Sequence, residues 1–283
     1  MSYNYSVRAE FGYSGSLLLT RFAPAPTGYL HLGHVLNALY VWEFARANGG
    51  RVLLRIEDHD AQRCRPEYER AIREDMAWLG FTPDAEAPRQ SERDEAYRAV
   101  LSELTTRGLV YGCACTRQEI AAVAGGGESA DAEVRYPGTC RNRGLGLTDG
   151  LGWRIQIEPG METFADGLRG PQSQEPALQC GDLLVRDRLG NWTYQWAATI
   201  DDYLQNITHV IRGTDLLAST GRQIRLARLA GRKTPATFMH HPLIMKSETQ
   251  KLSKSDGDTG VRDLRAAGWT PERVIVRATS LKS

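Results

Sequence analysis

The chain has 283 residues, 41% hydrophobic and 24% charged; this excludes a wholly disordered protein and leaves room for one large domain or two modest ones needing no disulfide staples. Lys+Arg 35 against Asp+Glu 34 gives a formal charge of +1, which excludes a uniformly basic nucleic-acid binder, so any RNA contact needs a local patch. No apolar run approaches the ~18 residues that span a bilayer, and residues 1–14 lack the pattern of a secretory signal, so a cytoplasmic protein with no membrane partner is expected.

Leu17, Leu18 and Leu19, within residues 16–22, suit a short buried strand. Pro24, Pro26 and Gly28 then break regular structure. From His31 the pattern turns helical, with Leu32, Val35, Leu36, Leu39, Trp42 and Ala45 recurring at spacings of three and four, and Gly49-Gly50 should end it. Val52, Leu53, Leu54 and Ile56 make a second strand, so this unit implies a parallel pair with a right-handed crossover. Helices are predicted over 67–79, with Pro66 in the first turn, and over 94–106. From Tyr111 to about Gly152 the cysteines, the Gly125-Gly126-Gly127 loop and turn residues suggest a small inserted module. Strands are expected over 153–157, 182–185 and 207–212, a helix over 219–229, and after Pro235 a short end segment with the lysine-rich stretch 251–255.

The five cysteines, Cys64, Cys113, Cys115, Cys140 and Cys180, point to a metal site in a reducing compartment more than to a disulfide framework, because three of them crowd one segment. The stretch Pro26-Thr27-Gly28-Tyr29-Leu30-His31-Leu32-Gly33-His34 sets two histidines across a glycine at a helix start that follows a strand. A helix N-terminus suits phosphate, Gly33 permits close approach of a nucleotide, and His31 and His34 can donate to phosphate oxygens. An ordinary capped helix with surface histidines fits the same spacing. Lys251-Leu252-Ser253-Lys254-Ser255 fits a solvated basic face, or a loop that closes over a polyphosphate.

Together and in this order, the two stretches resemble the paired signatures of class I aminoacyl-tRNA synthetases. Arg21-Phe22-Ala23-Pro24, Arg55-Ile56-Glu57-Asp58 and Ile211-Arg212-Gly213 narrow the resemblance to the glutamyl branch, from about residue 18 to about 255. Only residues 256–283 follow the lysine stretch, too few for a helical anticodon-binding domain. The chain therefore resembles the glutamyl-Q tRNA(Asp) synthetase family. The resemblance implies a Rossmann-like parallel α/β catalytic domain with its first half over 16–110, an inserted zinc-binding module over 111–152, the remaining insertion and second half over 153–232, and a C-terminal segment with the lysine loop over 233–283.

It also implies an activity: glutamate is activated by ATP with Mg²⁺ and without tRNA, then transferred to the queuosine base at the wobble position of tRNA(Asp), by a monomer. His31, His34, Lys251 and Lys254 would be catalytic, with His31, Gly33, His34 and Lys254 holding ATP. Arg21, Phe22, Ala23, Pro24, Ala25, Glu57, Tyr194 and Arg212 would line the glutamate site, the arginines for carboxylates and Glu57 for the ammonium. Ala25 stands where relatives commonly carry serine, so contact there would use backbone only. Cys113, Cys115, Tyr136 and Cys140 resemble the family's structural zinc ligands, and three thiolates with one oxygen suit tetrahedral Zn²⁺. Cys64 and Cys180 read as ordinary thiols.

Trp192, Tyr194 and Trp196 alternate at a spacing of two, which fits packing on an extended segment or a stacking platform for RNA bases. Arg222, Arg225, Arg228, Arg232 and Lys233 form a basic stripe that fits a tRNA-backbone contact or a solvated helix face. Three rival readings share parts of the pattern: a shortened synthetase that charges a tRNA 3′ end, a nucleotidylyltransferase outside translation, and a catalytically idle paralogue that binds amino acid or RNA. The glutamate constellation argues against the second, and intact His31, His34 and Lys254 argue against the third.

Overall fold

The computed structural model describes residues 18–123, 134–244 and 260–281. Strand β1 (Leu19–Phe22), helix α1 (Leu32–Ala47) and strand β2 (Arg51–Leu54) form the expected parallel unit, with Leu19 opposite Arg51 and Phe22 opposite Leu54. Helix α2 (Pro66–Leu79) begins on its proline and closes at Gly80, whose φ of 80° is the left-handed conformation glycine tolerates best. A short strand β3 (Ala85–Glu86) adds to β2 in parallel.

Helix α3 (Asp94–Thr106) leads into an antiparallel sheet of β4 (Val110–Cys113), β5 (Gly152–Ile155) and β8 (Leu183–Arg186), with helix α4 (Arg117–Val123) between β4 and β5. A hairpin of β6 (Glu162–Asp166) and β7 (Gly170–Gln174), then helix α5 (Pro176–Gln179), fill the stretch between β5 and β8. Helix α6 (Tyr194–Leu204), β9 (His209–Gly213), α7 (Thr220–Leu229) and β10 (Thr237–His241) return the chain to the parallel layer; α8 (Val261–Ala266) and α9 (Pro271–Ser280) follow. In that layer β10 is parallel to both β9 and β6. Beside β9 lies β1: the Thr208 N–H donates to the Leu19 carbonyl at 2.9 Å, and the Leu19 N–H donates to Thr208 Oγ1 at 2.8 Å. From this seam the chain moves outward through β2 on one side and β10 on the other. Such a reversal opens a crevice beyond the carboxyl ends of the strands.

Side chains alternate across a strand, so each strand supplies both faces. Val52, Leu54, Ile211 and Met239 pack with α1, α2, α8 and α9 residues in the main core, whereas Val210, Phe238 and Ile224 of α7 form a core on the opposite face. Another core joins Tyr97, Leu101 and Leu104 of α3 to Ile155, Val185, Trp196 and Ile200. No helix among the described residues is long and apolar enough to cross a membrane.

Two expectations need correction. The tryptophan-rich stretch is not extended: Thr193 caps α6 by accepting the Trp196 N–H, and Trp192 and Trp196 stack at 5.8 Å as buried core, unavailable to RNA bases. The arginine stripe is not one solvated face: Arg228 and Lys233 are exposed, but the other cations are drawn into the protein. Arg222 is buried, Arg225 and Arg228 both bind the buried Glu162 of β6, and Arg232 donates to the Ile207 and Asp202 carbonyls. Replacing Trp196, which is wholly buried, by alanine is expected to cost about 3–5 kcal/mol of stability. Urea unfolding should show this as a lower midpoint with an unchanged slope.

Candidate active site

Strand alternation carries the candidate arginines to one face. Arg21 follows Leu19 on β1 by two positions, and Arg212 follows Val210 on β9 by two, so both face α6 and α7 near the strand ends. The parallel ladder continues past β1 and β2, where the Arg55 N–H donates to the Phe22 carbonyl at 3.0 Å and the Glu57 N–H to the Pro24 carbonyl at 3.1 Å. This places Arg55 on the same face and Glu57 at its rim.

Buried charges need partners. Asp202 of α6 supplies one for two arginines: its Oδ1 accepts Arg21 Nε at 3.0 Å and Arg55 Nη1 at 2.7 Å. Arg55, with no exposed surface, also donates Nη2 to Glu57 Oε1 at 2.8 Å. Burial opposes ionisation of Asp202, but Arg21 and Arg55 outweigh it and hold the carboxyl down at about 2. Arg212 is different: it donates to neutral groups, namely Gln223 Oε1 (2.6 Å), Thr220 Oγ1 (2.9 Å), His240 Nε2 (3.0 Å) and the Leu216 carbonyl (3.3 Å). Burial accordingly pushes its guanidinium below its ordinary value.

Helix α1 begins in the same crevice. His31 is its N-cap; His31 Nδ1 accepts the Gly33 N–H at 3.0 Å, and His34 Nδ1 accepts the His31 N–H at 3.1 Å. A ring nitrogen that accepts carries no hydrogen, so in each neutral histidine the proton sits on Nε2, which becomes a donor. A Cβ at position 33 would lie 2.8 Å from His31 Cε1, so any larger residue there would displace the His31 ring.

Arg21, Ala23, His31, Gly33, His34, Glu57, Tyr194 and Arg212 line a single cleft of about 370 Å³. The remaining candidates lie elsewhere. Phe22 points into the core, its ring 5.5 Å from that of Trp42, while Pro24 and Ala25 take part through their carbonyls, which accept from Glu57 and Thr27. Lys251 and Lys254 lie outside the described residues. Sequence reading missed Asn37, Asp215 and His241, which complete the wall, as well as Asp202 behind it. Only proximity in the fold reveals them.

Away from the cleft, Cys113, Cys115 and Cys140 bring their sulfurs within 4.8 Å of one another. The Tyr136 hydroxyl lies 3.3 Å from Cys113 Sγ and 3.9 Å from Cys115 Sγ. Close approach here depends on Gly181, where a Cβ would meet the Tyr136 carbonyl oxygen at 2.1 Å. Burial opposes ionisation of Cys140, but hydrogen bonds from the Ala114 backbone, Cys115, Tyr136 and Arg143 hold the thiol down at about 7. Burial and the neighbouring thiols push Cys115 up to about 11. Packed thiols cannot all ionise unaided, and a divalent cation removes that conflict, so this donor set can hold a metal ion. Cys64 and Cys180 stand apart, their thiols facing the Glu57 and Pro176 carbonyls.

Comparison with known proteins agrees with this geometry. Residues 17–280 match the family "tRNA synthetases class I (E and Q), catalytic domain". The chain is 44% identical to a glutamyl-Q tRNA(Asp) synthetase of Burkholderia cenocepacia over 253 residues, covering 88% of this chain and 83% of that one. It is 45% identical to the protein of the same name from Bordetella bronchiseptica over 239 residues, 84% of this chain and 75% of that one. Among solved structures, a glutamate tRNA ligase of Elizabethkingia meningosepticum, crystallised with its amino acid, aligns with a TM-score of 0.72 at 33% identity. The alignment covers 90% of this chain but only 54% of that one, so this chain spans about half the ligase.

The Asp202 cluster makes a signed prediction. A carboxyl depressed in the folded state contributes stability above its ordinary 3.8 and loses it as pH falls to about 2. The stability gap between the protein and its Asp202→Asn variant should therefore be full above about pH 4 and close towards pH 2. Urea titrations at stepped pH would read it.

Proposed function

Because the chain belongs to the glutamyl-Q tRNA(Asp) synthetases, within the class I tRNA synthetase (E and Q) family, we propose that it activates L-glutamate with ATP in the absence of tRNA and transfers it to the queuosine base at the wobble position of tRNA(Asp). The observation that carries this reading is the charge of the cleft. Arg21 and Arg55 are paired with Asp202 and Glu57, whereas the hydrogen-bond acceptors of Arg212 are neutral, so its guanidinium is left to meet a ligand carboxylate. A glutamate carboxylate supplies the anionic partner that Arg212 lacks within the protein. Glutamine would set an amide donor against a guanidinium and lose the match.

In the proposed first step the glutamate α-carboxylate attacks the α-phosphate of ATP, giving glutamyl-adenylate and pyrophosphate. His31 and His34 donate through Nε2 to phosphate oxygens at the α1 N-terminus, and Lys254, assisted by Lys251, supplies positive charge to the transition state. Mg²⁺ neutralises charge on the bound ATP. Arg21 and Arg212 take carboxylates, Glu57 takes the ammonium, and Tyr194 lines the pocket between them. In the second step a cyclopentenediol hydroxyl of queuosine attacks the mixed anhydride and releases AMP. No covalent enzyme intermediate is needed. The proposed enzyme is a cytoplasmic monomer.

The metal at the cysteine cluster is proposed to be zinc, with Cys113, Cys115, Cys140 and Tyr136 as ligands. Zinc–thiolate bonds of about 2.3 Å set tetrahedral sulfurs about 3.8 Å apart, and Cys115 and Cys140 stand at 3.5 Å. The module would be structural, because it lies outside the cleft. Elemental analysis is expected to find one zinc per chain and none after Cys113→Ser with Cys140→Ser, with a lower melting temperature.

Transfer of labelled glutamate tests the main reading. Label is expected on tRNA(Asp) carrying queuosine, and on neither tRNA(Asp) carrying guanosine at the wobble position nor tRNA(Glu). Label on the tRNA(Glu) 3′ end would instead make the chain a minimal charging enzyme.

A further inference from the structure

Arg212 owes its aim to two residues that do not line the cleft. His240 of β10 and Asp166 at the end of β6 are wholly buried, and His240 Nδ1 lies 2.5 Å from Asp166 Oδ2. Asp166 Oδ1 is committed to the backbone, accepting the N–H groups of Arg169 (2.9 Å), Leu168 (3.0 Å) and His240 (3.2 Å). An ionised carboxylate only accepts, so the hydrogen between Asp166 and His240 belongs to Nδ1. Nε2 then presents a lone pair, and it receives the Arg212 Nε–H at 3.0 Å. Thr220 Oγ1 lies 3.2 Å from the same nitrogen and accepts from Arg212 Nη2 at 2.9 Å.

We propose that Asp166 and His240 are positioning residues for the amino-acid substrate: Asp166 fixes the tautomer of His240, and the neutral imidazole orients Arg212 toward a glutamate carboxylate. A carboxylate placed directly on Arg212 would orient it equally well and would also neutralise it, as Asp202 does for Arg21. The imidazole between them transmits direction while keeping the anion one residue away. This inference rests on the reading that Arg212 binds a glutamate carboxylate.

Asp166→Asn is the informative substitution because it is isosteric. The amide Oδ1 keeps the three backbone bonds, and Nδ2 then points a donor at His240 Nδ1. The imidazole must answer with the other tautomer, whose Nε2–H meets the Arg212 Nε–H head on. Glutamate-dependent ATP–pyrophosphate exchange should show KM for glutamate raised about ten- to hundredfold, the loss of a bond to a charged group, with KM for ATP within about twofold. His240→Gln with Asp166 intact donates its amide N–H to the Asp166 carboxylate and offers Oε1 to Arg212, so it should keep the glutamate KM near wild type, which a merely structural role of the imidazole would not allow. Equal changes in both KM values, an unchanged glutamate KM in folded Asp166→Asn, or a glutamate KM raised tenfold or more in folded His240→Gln would each overturn the inference. Should Asp166→Asn fail to fold, His240→Gln against His240→Leu decides: the inference expects glutamate KM near wild type for the first and raised tenfold or more for the second, and equal values overturn it. Arg212→Lys separates the two levels of argument. A raised glutamate KM there, with Asp166→Asn silent, sinks the positioning role alone; no glutamate-dependent exchange in the unaltered protein sinks both.

Discussion

Asp202 is the constraint on which the site depends. It sits on α6, yet it accepts hydrogen bonds from Arg21 on β1 and from Arg55 just beyond β2, at sequence separations of 181 and 147. Arg55 has no exposed surface, so its charge is tolerable only while Asp202 and Glu57 remain in place. Burial opposes that charge, but Asp202, Glu57 and Asp201 outweigh it and hold the guanidinium above its ordinary value. The same bonds that satisfy Arg55 dock α6 against the parallel layer and set the orientation of Arg21 and Glu57 in the cleft. Loss of one member leaves the others charged and buried, so docking and site geometry fail together.

The two arginines at the strand ends are thereby made unequal. Arg21 is neutralised by a carboxylate within the protein, whereas Arg212 meets a ring of neutral acceptors. The first meets a ligand with an anionic partner already in place, whereas the second meets it with only neutral partners. Across the crevice the α1 N-terminus adds its partial positive charge and two histidines whose Nδ1 atoms are occupied by backbone N–H groups. Local capping thus determines which nitrogen of each ring can donate, before any substrate arrives.

The initial strand–helix–strand unit and α2, α3 and α7 were legible because their apolar residues recur at one clear period and end at Gly or Pro. The motif residues were legible because they lie close together in sequence. The β6–β7 hairpin was not: Glu162-Thr163-Phe164-Ala165-Asp166 has polar ends that are buried, and their partners Arg225 and His240 lie 63 and 74 positions away. The arginine stripe left two readings open for the same reason, since a cation paired with a distant buried glutamate looks the same in sequence as a solvated one. Asp202 itself stands in plain view beside Asp201, but nothing local distinguishes an aspartate that pairs with two distant arginines from a surface charge. At Trp192 and Trp196 a spacing of four was read as part of an alternation of two, because the cap Thr193 between them carries no apolar signal.

The cysteine module connects to this arrangement through β8. The Tyr136 N–H donates to the Cys180 carbonyl at 2.9 Å, and Asp182 gathers the Tyr111 hydroxyl, the Arg141 guanidinium and the Ile157 N–H at 2.6–2.9 Å. Arg154 lies over the Tyr136 ring at 3.6 Å and donates to the Asp182 carbonyl, so the ring and β8 share one cation. From β8 the chain needs only a short turn, closed by the Thr193 N–H donating to the Val185 carbonyl at 3.0 Å, before α6 starts at Tyr194. A metal held by Cys113, Cys115 and Cys140 would clamp β4 to the turn that carries Tyr136, and so steady the sheet from which α6 departs. The cluster can therefore matter to the cleft without touching it: it braces the strand that delivers Tyr194 to the wall and Asp202 to the two arginines.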